Sequence, residues 1–199
     1  MKKNSRLVLI AITLLIAGTA AISGCEKDNP PATIIVVDGN GNTNINNSLL
    51  GQQINTLPHE PLSLDEKESI AFMREEEKMA RDLNRLFYQK WGQIIFDNVS
   101  KAEQTHMDAV LLLINKYSLP DPVGANPAGI FSNSELQMLY NTFAAQGNAS
   151  LTEALKAGAT IEELDIRDLN NLLSDDDINN QHIELVYTNL VKASRNHLR

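Results

Sequence analysis

Residues 96–106 read FDNVSKAEQTH. Glu103 and His106 stand three residues apart on the apolar side of a helical pattern. A carboxylate and an imidazole at that spacing point the same way and can hold one metal ion together. An E-x-x-H pair alone occurs often by chance. Its meaning depends on whether the rest of the chain brings further ligands to the same depth.

Working outward, Phe96, Val99, Val110, Leu113, Ile114 and Tyr117 share one side of a helix predicted over about 93–117. Upstream, residues 64–91 contain no Pro or Gly, and Ile70, Met73, Ala80, Phe87 and Trp91 form a stripe at helical period. Ser63 with Glu66 makes a capping box at the start of this helix, and Gly92 ends it. Downstream, LPDPVGANPAG (119–129) breaks the pattern with three prolines and two glycines. A short helix is expected from Ser134 to Ala145, stopping at Gly147, and a long one from Ser150 to about Ser174, with Gly158 inside it. The polar run SDDDINN (174–180) then leads into a last helix carrying Ile183, Val186, Leu190, Ala193 and His197 on one face. No segment alternates at period two. The reading is all-α, with four long helices and a short fifth inside a long connection. That layout suits a ferritin-like four-helix bundle with one long crossover.

The N-terminus reads differently. Lys2, Lys3 and Arg6 precede an apolar run, Leu7 to Ala21, and the small residues that follow lead to Cys25, the chain's one cysteine. A basic start, a short apolar core and small residues describe a secretory signal over residues 1–24. The sequence I-S-G-C resembles a bacterial lipobox, which implies lipidation of Cys25 and a membrane anchor in the cell envelope. Residues 25–61, rich in Asn, Gly and Pro, read as a disordered tether, with the folded domain over 62–199. Within the tether, TIIVV (33–37) reads equally as a short strand or as an apolar spot in a linker. A single cysteine excludes an internal disulfide. Loss of Lys2, Lys3 and Arg6 with the signal takes the net charge from −8 to −11, which argues against nucleic acid as a partner.

Antiparallel helices can bring two ligands level only if the turn lies near their midpoint in sequence. Glu77 and Glu103 have their midpoint at Lys90, beside Gly92, and Glu162 and His197 have theirs between Asn179 and Asn180. Both pairs pass. Facing is less uniform: Glu103, His106 and His197 lie within apolar stripes, Glu162 lies at an edge with Asp165 nearer the middle, and periodicity favours Glu76 over Glu77. His182 is about four turns from His197, roughly 20 Å along a helix, and is assigned to the surface or the core. Arg74 and Arg81 read either as partners that orient the metal ligands or as ordinary i,i+4 partners of acids, the second being favoured.

The motif EKMAR (77–81) resembles the first-helix Glu-x-x-Ala-Arg of rubrerythrin-type ferritin-like proteins, whose Glu binds metal. Phe96, Glu103 and His106 are similar to their second-helix motif. More closely, FMREEEKMARDL, AEQTHM, EALKAGATIEELDIRDL and SRNHLR together resemble an uncharacterised ferritin-like family of bacteria and archaea, over about residues 62–199. The resemblance implies Glu77 rather than Glu76 and Glu162 on the third long helix. It sets Ser194-x-x-His197 where a second Glu-x-x-His is expected. A hydroxyl is a poor ligand for a hard dication. The site then has five protein ligands plus water, or gains Asp165, or holds one ion. The expected metals are iron, as a di-iron pair, or manganese, with zinc as a substitute. The implied chemistry is reduction of peroxide or oxygen, or metal handling. No iron–cysteine domain is evident, so redox turnover requires an external electron donor. A metal-free envelope binding module is the alternative, and association as a homodimer stays open.

Overall fold

The computed structural model describes residues 33–37 and 43–198. Residues 1–24, with the expected signal, and Cys25, with the expected lipid, lie outside the described residues. The described chain is predominantly helical, as the periodicity requires. It opens with a small antiparallel hairpin, β1 (Ile35–Val37) on β2 (Thr43–Ile45), in register Ile35–Ile45. Six helices follow: α1 (Asn47–Ile54), α2 (Leu64–Trp91), α3 (Ile94–Lys116), α4 (Ser134–Ala149), α5 (Leu151–Leu173) and α6 (Gln181–His197).

The boundaries are chemical. Ser63 Oγ accepts from the Glu66 amide at 3.1 Å, and the Glu66 carboxylate accepts from the Ser63 amide at 2.9 Å. The second Glu66 oxygen accepts from the Asn180 amide at 2.9 Å, tying the start of α2 to the start of α6. Gly92 ends α2 at φ 65, a left-handed cap that a side chain would strain, and the chain reverses at once into α3.

The four long helices form a closed ring of neighbours, α2–α3–α6–α5. Numbering rises on one helix as it falls on the next: Arg74 donates to Met107 O while Arg81 donates to Gln104, and Tyr117 meets His182 while Glu103 meets His197. Neighbours are therefore antiparallel, and α3 and α5 run the same way. The segment between α3 and α5 must return along the whole length, and it carries α4. A salt bridge and hydrogen bonds fasten this crossover to α2. Arg74 pairs with Asp121, and the buried Lys78 pairs with Asp82 at 2.7 Å while donating to Pro127 O and Ile130 O. Arg81 bonds its neighbour Asp82. Neither arginine makes the i,i+4 pair expected of it: Arg74 reaches Asp121 in the crossover, and Arg81 takes Asp82 beside it and Gln104 on α3.

Two expectations are corrected. The stretch assigned to a disordered tether is folded from Thr43: Ile45, Leu50 and Ile54 are buried in the main core, and Thr105 on α3 receives β2 through Ile45 N–H at 3.0 Å. Three well-spaced apolar side chains outweigh the polar composition around them. The helix expected to stop at Gly147 runs on to Ala149. Gly147 is there because α4 lies against α2; a Cβ on it would meet Phe87 Cε1 at 2.2 Å. Trp91 Nε1 also donates to Gly147 O at 2.9 Å.

The core divides into two apolar clusters. One gathers Ile70, Met73, Val110, Leu113, Leu169, Ile183 and Leu190. The other gathers Met79, Leu83, Phe87, Phe96, Ala157 and Ile161. On every long helix the polar residues discussed next lie between these clusters or at the end of one.

Candidate metal centre

Each long helix sends polar groups to one level: Glu76 and Glu77 from α2, Glu103 and His106 from α3, Glu162 and Asp165 from α5, Ser194 and His197 from α6. The side chains of Glu77 and His106 are fully buried, and His197 is 4 % exposed. Two groups converge closely, Glu77–Glu103–His106 and Glu103–Glu162–His197, with Glu103 common to both. His106 Nδ1 stands 2.8 Å from Glu103 Oε2 and 3.3 Å from Glu77 Oε2. His197 Nδ1 stands 3.0 Å from Glu103 Oε1 and 3.1 Å from Glu162 Oε2. The two rings are stacked, with centroids 5.3 Å apart.

Distance alone would suggest a hydrogen-bonded cluster, but the directions say otherwise. Both ring nitrogens of His106, both oxygens of Glu77 and of Asp165, Glu103 Oε1, Glu162 Oε1 and His197 Nε2 are buried with no hydrogen-bond partner. Buried polar atoms are nearly always paired. His197 Nδ1 and Glu162 Oε2 do pair, at 3.1 Å, but the unpartnered atoms come from different helices and crowd one volume without a hydrogen bond among them. Carboxylate and imidazole donors in such an array fit a hard to borderline dication.

The electrostatics lead to the same place. Burial raises Glu77 well above the usual carboxylate range, with Asp165 adding to it and His106 opposing. Burial and Glu103 push Glu162 up to about 8 and Asp165 up to about 7. Burial also acts to raise Glu103, but His106 and His197 on either side outweigh it and hold Glu103 well below its usual range. Both imidazoles are raised despite burial, His106 by Glu103 and Glu77, and His197 to about 10 by Glu162 and Glu103. So many buried carboxylates require compensating positive charge. Without a cation, protons on the histidines and outer carboxylates supply it.

The structure brings Glu77, Glu103, His106, Glu162 and His197 together. Glu76 departs: burial raises it, and it faces Asp165 and Asp168 rather than the imidazoles. Consecutive glutamates on α2 point about 100° apart, so Glu75 reaches the α4 cap through Asn133 N–H at 2.8 Å, Glu76 reaches α5, and Glu77 reaches α3. Asp165 is buried beside the Ser194 hydroxyl, which donates to Leu190 O at 3.1 Å. A carboxylate from α5 thus stands next to the position where α6 has only a serine. His182 lies in the core far from this cluster, with Nδ1 2.6 Å from Tyr117 Oη.

Sequence reasoning missed Asn84 and Asp168. Asn84 is buried seven residues past Glu77, on the same face of α2, so the heptad step was the available signal. It lines a cavity of about 240 Å³ that ends on Glu162 and His197. Asp168 sits one turn past Asp165 and gave no separate signal.

Residues 66–199 match the family described as "Uncharacterized protein domain (DUF2202)". The chain belongs to this family. A family relative is the uncharacterized protein MJ0754 of Methanocaldococcus jannaschii, 49% identical over 148 residues, which are 74% of this chain and 79% of the relative. A crystal structure of the hypothetical protein MJ0754 from Methanococcus jannaschii superposes with a TM-score of 0.68 at 48% identity. That match covers 71% of this chain and 80% of the other. The DUF2202 domain thus accounts for α2 to α6 and for every residue of the cluster.

Proposed function

We propose that this DUF2202 protein is a ferritin-like four-helix bundle built around a two-metal centre of iron or manganese. Its role on this reading is redox chemistry on peroxide or oxygen, or metal handling, in the cell envelope, with Cys25 as the lipid anchor. The observation that carries the reading is Glu103. It lies between two imidazoles and belongs to both three-residue groups, so its two oxygens are divided between two positions. Glu77 and His106 would complete one position, and Glu162 and His197 the other. Asp165 supplies the carboxylate that Ser194 does not. The antiparallel ring of helices with its long crossover supports the ferritin-like reading.

A bound pair of such ions supplies electrons for reducing an oxygen–oxygen bond. The chain's own part is to hold and orient the donors, keep bulk water out between two apolar clusters, and lodge protons. Without metal, Glu162, held up to about 8, keeps a proton at neutral pH where an ordinary glutamate has none, and a bound ion would take that proton's place.

The test is metal analysis of protein purified from iron-supplemented cells without added zinc. About one to two equivalents of iron or manganese are expected, and fewer than about 0.3 would overturn the reading. Glu103→Ala and His106→Ala should each abolish binding. His182→Ala, in the Tyr117 contact, should leave it unchanged.

A further inference from the structure

A cavity adjoins Glu162 and His197. It lies between α2, α3 and α5 and has a volume of about 240 Å³. At roughly 30 Å³ per water-sized group it has room for about eight heavy atoms. Phe96, Val99, Gly158 and Ala159 form its walls, and Ile95, Leu155 and Leu198, each more than two-fifths exposed, form its rim. Three large apolar side chains standing in water around one opening mark a place where something apolar is met.

Gly158 gives the independent observation. A glycine inside a helix costs about 0.5–1 kcal/mol relative to alanine. Packing does not require it here. A Cβ at Gly158 would meet only Phe96 Cε1, at an ordinary 3.8 Å, and its backbone is helical, unlike the crowded Gly147. What Gly158 does leave is space. It precedes Glu162 by one turn on the same face of α5, so any larger side chain there would stand in the approach to that carboxylate.

The lining also sets the chemistry. Among the described residues it has no lysine or arginine to receive an anion, and a charged ligand would lose water against apolar walls. Asn84 donates its amide to Ala80 O at 2.9 Å, which leaves its side-chain oxygen as an acceptor. Glu162 Oε1 and His197 Nε2 are buried without partners at the cavity floor.

We infer that this cavity binds a small, uncharged, mainly aliphatic molecule with one hydroxyl-bearing end, placing that end against Asn84, Glu162 and His197 and its chain between Phe96, Gly158 and Leu155. This rests on the metal-centre reading only for what the bound end would face.

The probe is 1-pentanol, titrated into full-length protein and followed by methyl NMR, once with chelator and once after loading with zinc, a diamagnetic substitute that leaves nearby methyl signals visible. Saturable shifts confined to the methyl groups of Ile95, Val99, Leu155, Ala159 and Leu198 are expected. Gly158→Leu, which fills the cavity, should weaken binding at least about tenfold, or about 1.4 kcal/mol. Leu155→Asp, at the exposed rim, should do likewise and keeps the test open if the first variant does not fold. Shifts that do not saturate, that scatter over the surface, or that survive both substitutions would overturn the inference. Metal uptake without pentanol binding would remove this inference alone. Pentanol binding without metal uptake would remove the metal-centre reading and leave the cavity as a ligand site.

Discussion

The protonation of the buried cluster makes stability without metal depend on pH in a direction opposite to that of many acidic proteins. Glu162 sits at about 8 in the folded chain against an ordinary 4.5. The folded state therefore keeps a proton that the unfolded chain has lost. The stabilisation is complete below about pH 4.5 and is lost as pH rises through 8. At 1.36 kcal/mol per unit, that shift amounts to something on the order of 5 kcal/mol for Glu162. Asp165 acts the same way and loses its contribution through about 7. His197, raised to about 10, is stabilising below 6.5 and loses that contribution as pH rises through 10. Glu162 and His197 perturb each other, so their mutual attraction counts once. Glu103 has the opposite sign, but its contribution is full above 4.5 and does not change over this range. The chelated protein should therefore melt progressively lower from pH 5 to pH 9, by about 10–20 °C at 2–4 °C per kcal/mol. Metal ions replace the protons, so loading should flatten the slope. At pH 8, manganese at a hundred times its Kd should raise the melting temperature by about 5–11 °C, from about 2.7 kcal/mol of linkage. Scanning calorimetry on chelated and loaded protein across five pH values gives the answer. A chelated protein whose melting point is flat or rises with pH, or a gap between the two curves that does not widen, would refute the reasoning.

Three further outcomes follow from the same geometry. Asp165→Asn should lower the bound metal from about two equivalents to about one by calorimetric titration, because it removes the carboxylate standing in for Ser194. Gly147→Ala should destabilise the fold by about 1–3 kcal/mol in urea, since the new methyl collides with the Phe87 ring. Leu50→Ala should cost about 2–5 kcal/mol in the same assay, because α1 is part of the core; a loss under about 0.5 kcal/mol would return that helix to the status of a loose appendage.

Much of this arrangement was legible because its signals are local. The capping box at Ser63 and the stop at Gly92 are written in a few adjacent residues, and the structure has both. The midpoint argument needed only the positions of two turns, and it brought Glu77 level with Glu103 and Glu162 level with His197. Helix α1 was not legible. Its eight residues have only three large apolar side chains, amid a polar, glycine-containing stretch, and their burial depends on the distant surfaces of α3 and α6. Gly147 misled for a related reason: a glycine in a helix pattern signals an end unless a ring from another helix needs the space.

The sequence by itself determined the long helices, their order, and the set of polar residues that must share one level, because period, caps and turn positions depend on neighbours along the chain. Its periodicity favoured Glu76, and only the motif resemblance pointed to Glu77. Each glutamate is turned about 100° from the last, and which direction faces α3 is fixed only when the helices pack. Nor could it decide whether Asp165, one of its three alternatives, stands beside Ser194. Asp165 comes from a different helix, and the distance between two helices is set by the side chains packed between them.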